Sequence, residues 1–223
     1  MMGPTDPRRA RLLEVAQRLD LALSEAQVDQ LLAYLDLLQR WNGTYNLTAV
    51  RDPERMLTQH VADCLAVIAP LRRQLQATDD EPRRLLDVGS GGGLPGVVIA
   101  ILNPAIDVSC VDTVGKKAAF IQQVAASLRL RNLHSQHARV EQMKAAPFDV
   151  VASRAFASLP DFVNLTRQHL TAGGVWLAMK GKDPADERAG LPADIDVFHV
   201  EQLDVPGLDA ERCLVWMRQK PSL

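Results

Sequence analysis

Between Leu85 and Gly96 the chain reads LLDVGSGGGLPG: apolar residues run into an acid, and a glycine cluster follows at once. A second apolar run ends in another acid, Asp112. A strand, a glycine turn, a helix and a second strand closing on an acid build the nucleoside pocket of a doubly wound α/β domain. The glycines let the backbone turn sharply and remove side chains where a ligand approaches the main chain. The acid before them selects the cofactor. A pyrophosphate favours a helix N-terminus with no carboxylate beside it. S-adenosylmethionine carries an ammonium and a sulfonium, which a carboxylate attracts. Asp87 therefore points to S-adenosylmethionine, with Gly89 and Gly91 in the loop it approaches. Asp112 is placed to accept hydrogen bonds from both ribose hydroxyls, or else to cap the helix beginning near Lys116. Leu94 and Val140 are expected as apolar walls for the adenine, and the carbonyl and amide around Val140 and Glu141 as readers of its edge.

From Leu85 onward strands and helices alternate. Strands are expected at Leu85–Val88, Ile106–Asp112, Leu133–His137, Phe148–Ala152 and Val175–Lys180, the last entered through Gly173-Gly174. Helices are expected over Pro95–Leu102, over Lys116–Leu130, and from a Ser158 cap through Leu170. Val197–Leu203 and Cys213–Met217 read as strands separated by too few residues for a crossover helix, so they must run antiparallel. That ending is typical of a class I S-adenosylmethionine-dependent methyltransferase: Rossmann-like, a parallel sheet with an antiparallel C-terminal strand. A small helical region precedes it. Ser24 and Gln27 form a capping-box signature, followed by Val28, Leu31, Leu32, Leu35, Leu38 and Trp41 on one helical face, with Gly43 closing the helix. Asp52-Pro53 opens another helix, on whose apolar stripe His60 sits as an ordinary core histidine. Ala77 to Arg84, polar and carrying Pro82, reads as the linker between a helical region 1–80 and a catalytic domain 81–223.

Three scattered cysteines form neither a disulfide framework nor a metal-ligand spacing, so no metal is expected. No run is apolar and long enough to span a bilayer, and no secretory signal opens the chain, so a cytoplasmic protein with no membrane partner is expected. A monomer is the simplest expectation. The 25 Lys and Arg against 27 Asp and Glu leave a net charge of −2, so any contact with nucleic acid must rest on a local patch. One expected patch is Arg8, Arg9 and Arg11. Clustering of Arg11, Arg51, Arg84, Arg154 and Lys182 at the pocket mouth would oppose the rival reading, a small-molecule methyltransferase. A nicotinamide oxidoreductase would prefer an apolar residue at position 87.

After the fourth strand stands Ser153-Arg154-Ala155-Phe156. The polar residue, prolines and aromatic used to methylate adenine or cytosine amino groups are missing, and no cysteine is there for cytosine C5 chemistry. A substrate atom that is already nucleophilic, such as guanine N7, needs neither device. It needs an in-line approach to the methyl group. Arg154 and Lys180 are the candidate reaction-site residues, Arg154 holding a carboxylate or phosphate and Lys180 a backbone.

These segments resemble the bacterial small-subunit ribosomal RNA guanine-N7 methyltransferase family, also called glucose-inhibited division protein B. The likeness runs through Trp41-Asn42, Tyr45-Asn46-Leu47-Thr48, Arg51-Asp52-Pro53, His60 with Asp63, Asp87 to Gly96, Arg139-Val140-Glu141, Ser153 to Ala157 and Lys180-Gly181. It departs from the family at Cys64, where serine is commoner, and at Gly92, where proline is common. The resemblance implies a cytoplasmic enzyme that methylates N7 of one guanine in 16S rRNA, acting on the rRNA or the small ribosomal subunit. It also implies cofactor contacts at Gly89, Leu94, Val140, Glu141 and Arg154.

Overall fold

The computed structural model describes residues 6–75, 83–156 and 158–221. Seven strands form one sheet: β1 (Arg83–Val88), β2 (Ile106–Asp112), β3 (Leu133–His137), β4 (Phe148–Ser153), β5 (Leu170–Lys180), β6 (Ile195–Gln202) and β7 (Cys213–Gln219). Their order is β3-β2-β1-β4-β5-β7-β6. The first five run parallel, while β7 lies antiparallel between β5 and β6. Because β1 is central and its neighbours depart to opposite sides, its carboxyl end opens a crevice for a ligand.

Alternation along the strands sends side chains to two separate cores. Leu85, Val108, Cys110, Ala152 and Leu177 pack into one, Leu86, Val88, Val111, Val151 and Trp176 into the other. The second core is covered by α8 (Leu159–Thr166) through Leu159, Phe162 and Val163. The first is covered by α6 (Gly96–Leu102), by α7 (Gly115–Ser127) and by the whole helical N-terminal region. That region comprises α1 (Pro7–Arg18), α2 (Glu25–Tyr45), α3 (Pro53–Met56), a π-helical turn Leu57–Ala62, α4 (Asp63–Leu65) and α5 (Ile68–Leu75). A last short helix, α9 (Ala185–Ala189), precedes β6. The N-terminal helices and the sheet thus share a continuous core. The expected boundary at residue 80 lies outside the described residues.

Local chemistry explains the helix ends. Ser24 and Gln27 make both bonds of the capping box, and Asp52 accepts from Arg55 N with Pro53 in the first turn. Gly43 does not close α2. The helix runs on to Tyr45, held by the Trp41–Tyr45 ring pair 5.1 Å apart, and Asn46 takes the left-handed conformation at φ 50°. Arg83 and Arg84 belong to β1 and not to a linker, because the Arg84 N–H donates to Asp149 Oδ2 beside it. The rest of that expected linker, from residue 77, lies outside the described residues. The helix from Ser158 stops at Thr166 and passes through a 3-10 turn, Arg167–His169. Strand β5 starts at Leu170, earlier than expected, and is kinked at Gly173, whose φ of +83° turns the chain within it.

One contact joins the N-terminal helices to the glycine loop. The Tyr34 hydroxyl donates to the Gly92 carbonyl at 2.6 Å, both residues being buried. A Cβ at Gly92 would come within 3.1 Å of Leu38 Cδ1, so α2 rests directly on the loop. Tyr34→Phe leaves that carbonyl buried without its partner. The expected cost is about 1–3 kcal/mol in urea unfolding, the price of an unsatisfied buried acceptor.

Candidate active site

Three cavities lie in series along the carboxyl edge of the sheet. The first, of about 390 Å³, is lined by Val88, Gly89, Asp112, Val114, Val140 and Phe156 among others. The second, of about 200 Å³, lies over the glycine loop and is lined by Gly89, Gly91, Leu94, Thr48, His60 and Arg154 among others. The third, of about 410 Å³, is lined by Gln59, His60, Asp63, Arg154, Met179, Lys180, Gly181 and Arg212. Gly89 and Ala155 border the first two, and His60 and Arg154 border the last two. The saddle at Gly89 is tight: its φ is +68°, and a Cβ there would stand 3.0 Å from the Ala155 Cβ.

Asp112 ends β2 at the floor of the first cavity. Its Oδ2 accepts from Gly91 N at 3.0 Å, and its Oδ1 accepts from Val114 N at 2.9 Å. It therefore braces the glycine loop and the turn into α7. A carboxylate has about four lone-pair directions, so each oxygen keeps capacity for a ribose hydroxyl. Both readings of this residue are compatible. Glu141 lies on the rim with its carboxylate 3.6 Å from the Arg139 guanidinium.

Two expectations about the adenine pocket change. Leu94 packs in the core on one side of the sheet and Val140 in the core on the other, and they border different cavities, which meet at Gly89 and Ala155. Leu94 lines the second cavity, and the apolar lining of the first comes from Val88, Val111, Val114, Val140, Phe156 and Leu165. The Val140 carbonyl is also already engaged, by Met143 N at 3.1 Å and His169 Nε2 at 2.7 Å. The N–H groups of Val140 and Glu141 open the 3-10 turn Val140–Gln142, where no intrahelical acceptor exists. Of the expected edge readers, these N–H groups are the ones the turn leaves without an intrahelical partner.

Asp87 lies beneath the loop and lines none of the three cavities. Its Oδ2 accepts from Gly96 N at 2.8 Å, and a Cβ at Gly96 would sit 2.5 Å from Cys110 Sγ and 2.9 Å from that oxygen. Its Oδ1, like the hydroxyl of Ser90, is buried with no hydrogen-bond partner. Burial raises the carboxyl to about 7, against the pull of the Gly96 N–H and the Arg154 charge. An orphaned carboxylate oxygen beneath a loop of left-handed glycines suits a ligand that brings positive charge to the loop, attracted through the loop or a water and not by direct contact. The residues present fit S-adenosylmethionine.

The helical region supplies the other wall. Asn42 accepts from Thr48 N and donates to the Val50 carbonyl, and Val50 N donates to Thr48 Oγ1. Thr48 Oγ1 is 2.8 Å from His60 Nε2, and His60 Nδ1 is 3.0 Å from the Gln59 carbonyl. A carbonyl only accepts, so Nδ1 carries the proton and Nε2 accepts from Thr48. Burial, then the Arg154 charge, lowers His60 to about 4, so it is neutral at physiological pH. His60 stands on the π-helical turn and Asp63 just beyond it, and such turns mark functional sites in many helices. Arg154 Nη1 donates to Asp63 Oδ2 at 3.1 Å and to the Gln59 carbonyl at 3.3 Å. It pairs with neither Glu141 nor Asp87. Lys180 Nζ donates to the Phe156 carbonyl at 3.2 Å and to Glu187 Oε2 at 2.8 Å, so it holds the protein's own backbone. Asp63 and Arg212 were not singled out as site residues. The spacing of His60 and Asp63 was the one signal for Asp63, and nothing local marks Arg212.

The expected arginine patch at the N-terminus is not a free surface. Arg8 pairs with Asp6 and Asp36, Arg9 with Glu25 and Asp29, and Arg11 with Glu14. Of Arg11, Arg51, Arg84, Arg154 and Lys182, Arg154 alone lines these cavities. Arg84 lies at the amino end of β1, bonded to the Ala146 and Pro147 carbonyls. Among the described residues, no three His, Cys, Asp or Glu gather as for a metal ion, and no helix is long and apolar enough to cross a membrane.

Asp87 and His60 set opposed pH dependences. Asp87, raised from 3.8 to about 7, contributes stability that is complete below 3.8 and lost as pH rises through 7. His60, lowered from 6.5 to about 4, contributes stability that is present above 6.5 and lost as pH falls toward 4. Asp87→Asn removes the first effect. The ligand-free variant is expected to melt higher than the parent at pH 8, by an amount on the order of 4 kcal/mol at most. Below pH 6.5 its stability should fall more steeply, with His60 unopposed. Melting curves from pH 4.5 to 8 check both; a parent and variant with parallel profiles would show that Asp87 is not titrating in this range.

The chain is similar to known proteins in sequence and in fold. The family profile described as GidB, rRNA small subunit methyltransferase G, matches residues 27–215. The ribosomal RNA small subunit methyltransferase G of Paracidovorax citrulli (strain AAC00-1) is 64% identical over 228 residues, covering 99% of this chain and 93% of that protein. The protein of the same description from Leptothrix cholodnii (strain ATCC 51168 / LMG 8142 / SP-6) is 62% identical over 214 residues, covering 96% and 97%. In fold, the chain is similar to the crystal structure of a ribosomal protein L11 methylase from Lactobacillus delbrueckii subsp. bulgaricus. The TM-score is 0.54 at 15% identity, over 70% of this chain and 78% of that one. The fold is that of class I methyltransferases, and the chain belongs to the GidB family of S-adenosylmethionine-dependent small-subunit rRNA methyltransferases.

Proposed function

We propose that the chain methylates N7 of a guanine in 16S rRNA and does so by positioning alone, as a cytoplasmic monomer. The observation that carries this reading is the run of three cavities, with Asp112 at one end and arginines at the other. S-adenosylmethionine, when bound, supplies a methyl group on a positively charged sulfur. Asp112 and the Val140 and Glu141 amides hold the nucleoside end, while Gly89 and Gly91 let the main chain approach and Leu94 packs beside the loop. Asp87 sets the charge below the loop. Arg154, between the second and third cavities, holds an anionic group by forked hydrogen bonds.

No residue is needed to take a proton, because N7 carries a lone pair and loses no hydrogen on methylation. The side chains here agree: Arg154 is permanently charged, His60 has its acceptor nitrogen filled by Thr48, and Lys180 is bound to Glu187. All three cysteines are buried, which disfavours cytosine C5 chemistry.

Mapping N7-methylguanine in rRNA from cells with and without the gene tests the function directly. Loss of one 16S site is expected; an unchanged map would overturn the reading. Asp112→Ala should weaken S-adenosylmethionine binding by about 1.5–3 kcal/mol in calorimetry, the range for hydrogen bonds to a charged acceptor. Cofactor affinity should also fall as pH drops below 7, because Asp87 must lose its proton to meet the ammonium. Arg154→Lys keeps the charge and loses the fork, so methylation should slow by about tenfold or more at unchanged melting temperature. A lower melting temperature with full activity in the folded fraction would assign Arg154 to structure alone.

A further inference from the structure

Resting on that reading, we propose that the third cavity is a subsite for a phosphodiester of the RNA, held by Arg212 with Arg154, and that Asp63 is its positioning residue. Three strand ends deliver the cations. Arg154 follows β4, Lys180 ends β5, and Arg212 immediately precedes β7, whose first residue Cys213 pairs with Lys180. Asp63 comes from the helical region opposite and is 1% exposed.

The buried carboxylate divides its oxygens between two guanidiniums. Oδ2 accepts from Arg154 Nη1 at 3.1 Å and Oδ1 accepts from Arg212 Nε at 2.9 Å. Both guanidiniums are thereby held on one carboxylate. Elsewhere among the described residues an acid takes at most one guanidinium, as Asp194 takes Arg167 and Asp196 takes Arg218. Here one carboxylate, Asp63, is shared by Arg154 and Arg212, Lys180 is paired with Glu187, and His60 is neutral, so the two guanidiniums exceed the carboxylate they share by one charge. Beyond the Asp63 bonds, Arg154 spends Nη1 on the Gln59 carbonyl and Arg212 spends Nη1 on the Glu211 carbonyl. The Nη2 groups of both remain for a tetrahedral anion, which paired guanidiniums recognise by geometry as well as charge.

The chain's net charge of −2 gives RNA no general attraction, and the N-terminal arginines are neutralised. A local phosphate site next to the transfer position supplies what the bulk charge does not. The carboxylate of the cofactor is the competing occupant. It is disfavoured because Arg212 and Lys180 line the third cavity and neither of the other two, which embrace the glycine loop.

The test measures RNA affinity against salt, cofactor affinity and methylation kinetics, using the full chain and labelled 16S rRNA, both free and in the small ribosomal subunit. In Arg212→Gln, RNA affinity should fall about tenfold and the salt slope should drop by about one, with cofactor affinity unchanged. Asp63→Asn makes the protein more positive, yet the KM for RNA should rise, the reverse of what charge alone would do. Inorganic phosphate should compete with RNA in the parent and lose that effect in Arg212→Gln. If Arg212→Gln melts early, Arg212→Lys preserves the charge and should still raise KM. RNA affinity and slope unchanged in the Arg212 variants, or an equal loss of cofactor affinity, would overturn the subsite. Phosphate binding that depends on Arg212 without affecting RNA would assign the cavity to a free anion and overturn it too. If the parent methylates the RNA while the variants match it, the subsite falls and the function stands. If the parent neither binds nor methylates it, both fall.

Discussion

A carboxylate buried under a glycine loop is the constraint from which the rest of this site follows. Asp87 is fully buried, half satisfied by the Gly96 N–H, and raised by burial to about 7. In the ligand-free protein it is a destabilising element at neutral pH, and an approaching cation turns that cost into binding energy. Its neighbours are fixed accordingly. Residue 96 must lack a side chain, because Cys110 and Asp87 already fill that space. The loop above must turn through left-handed residues to leave the strand, with Asp112 accepting from Gly91 to hold the turn.

The N-terminal helices are part of the site and not an appendage. Tyr34 holds the loop from one side through the Gly92 carbonyl, and the Asn42–Thr48–His60 network builds the wall facing it. Asp63 then reaches across to the strand ends, where it pairs with Arg154 and Arg212. Because these helices share a core with the sheet, loss of their packing should propagate to the loop geometry. Coupling of this kind lets a reaction that needs no acid or base depend on residues from both halves of the chain.

The fold was legible in the sequence because its signals are local. The ends of β2 follow from an apolar run bounded by turn residues, and the helix starts at Ser24 and Asp52 from capping chemistry. Boundaries failed where tertiary contacts override propensity: Gly43 inside α2, Arg83-Arg84 drawn into β1 by Asp149, and the kinked start of β5. In the site, Asp112 and the glycines were readable because one short segment carries them. That Leu94 and Val140 border different cavities was not legible, because sequence does not show which face of a sheet a residue after a turn will join. Arg212 could not be found, since only the antiparallel return of β7 brings it to Asp63. The N-terminal arginines looked like an RNA face because their acidic partners are scattered along α1 and α2.

The central claim is that this site transfers a methyl group by orientation, with no proton moved by the protein. The most direct test is the single-turnover rate at saturating cofactor and RNA, followed from about pH 6.5 to 8.5. His60, lowered to about 4, is neutral throughout this range, and Asp87 acts on cofactor binding, which saturation removes from the rate. The account requires a rate that is flat with pH. A rate climbing about tenfold per unit, or a bell-shaped profile, would show a titrating acid or base in the chemical step and would contradict it.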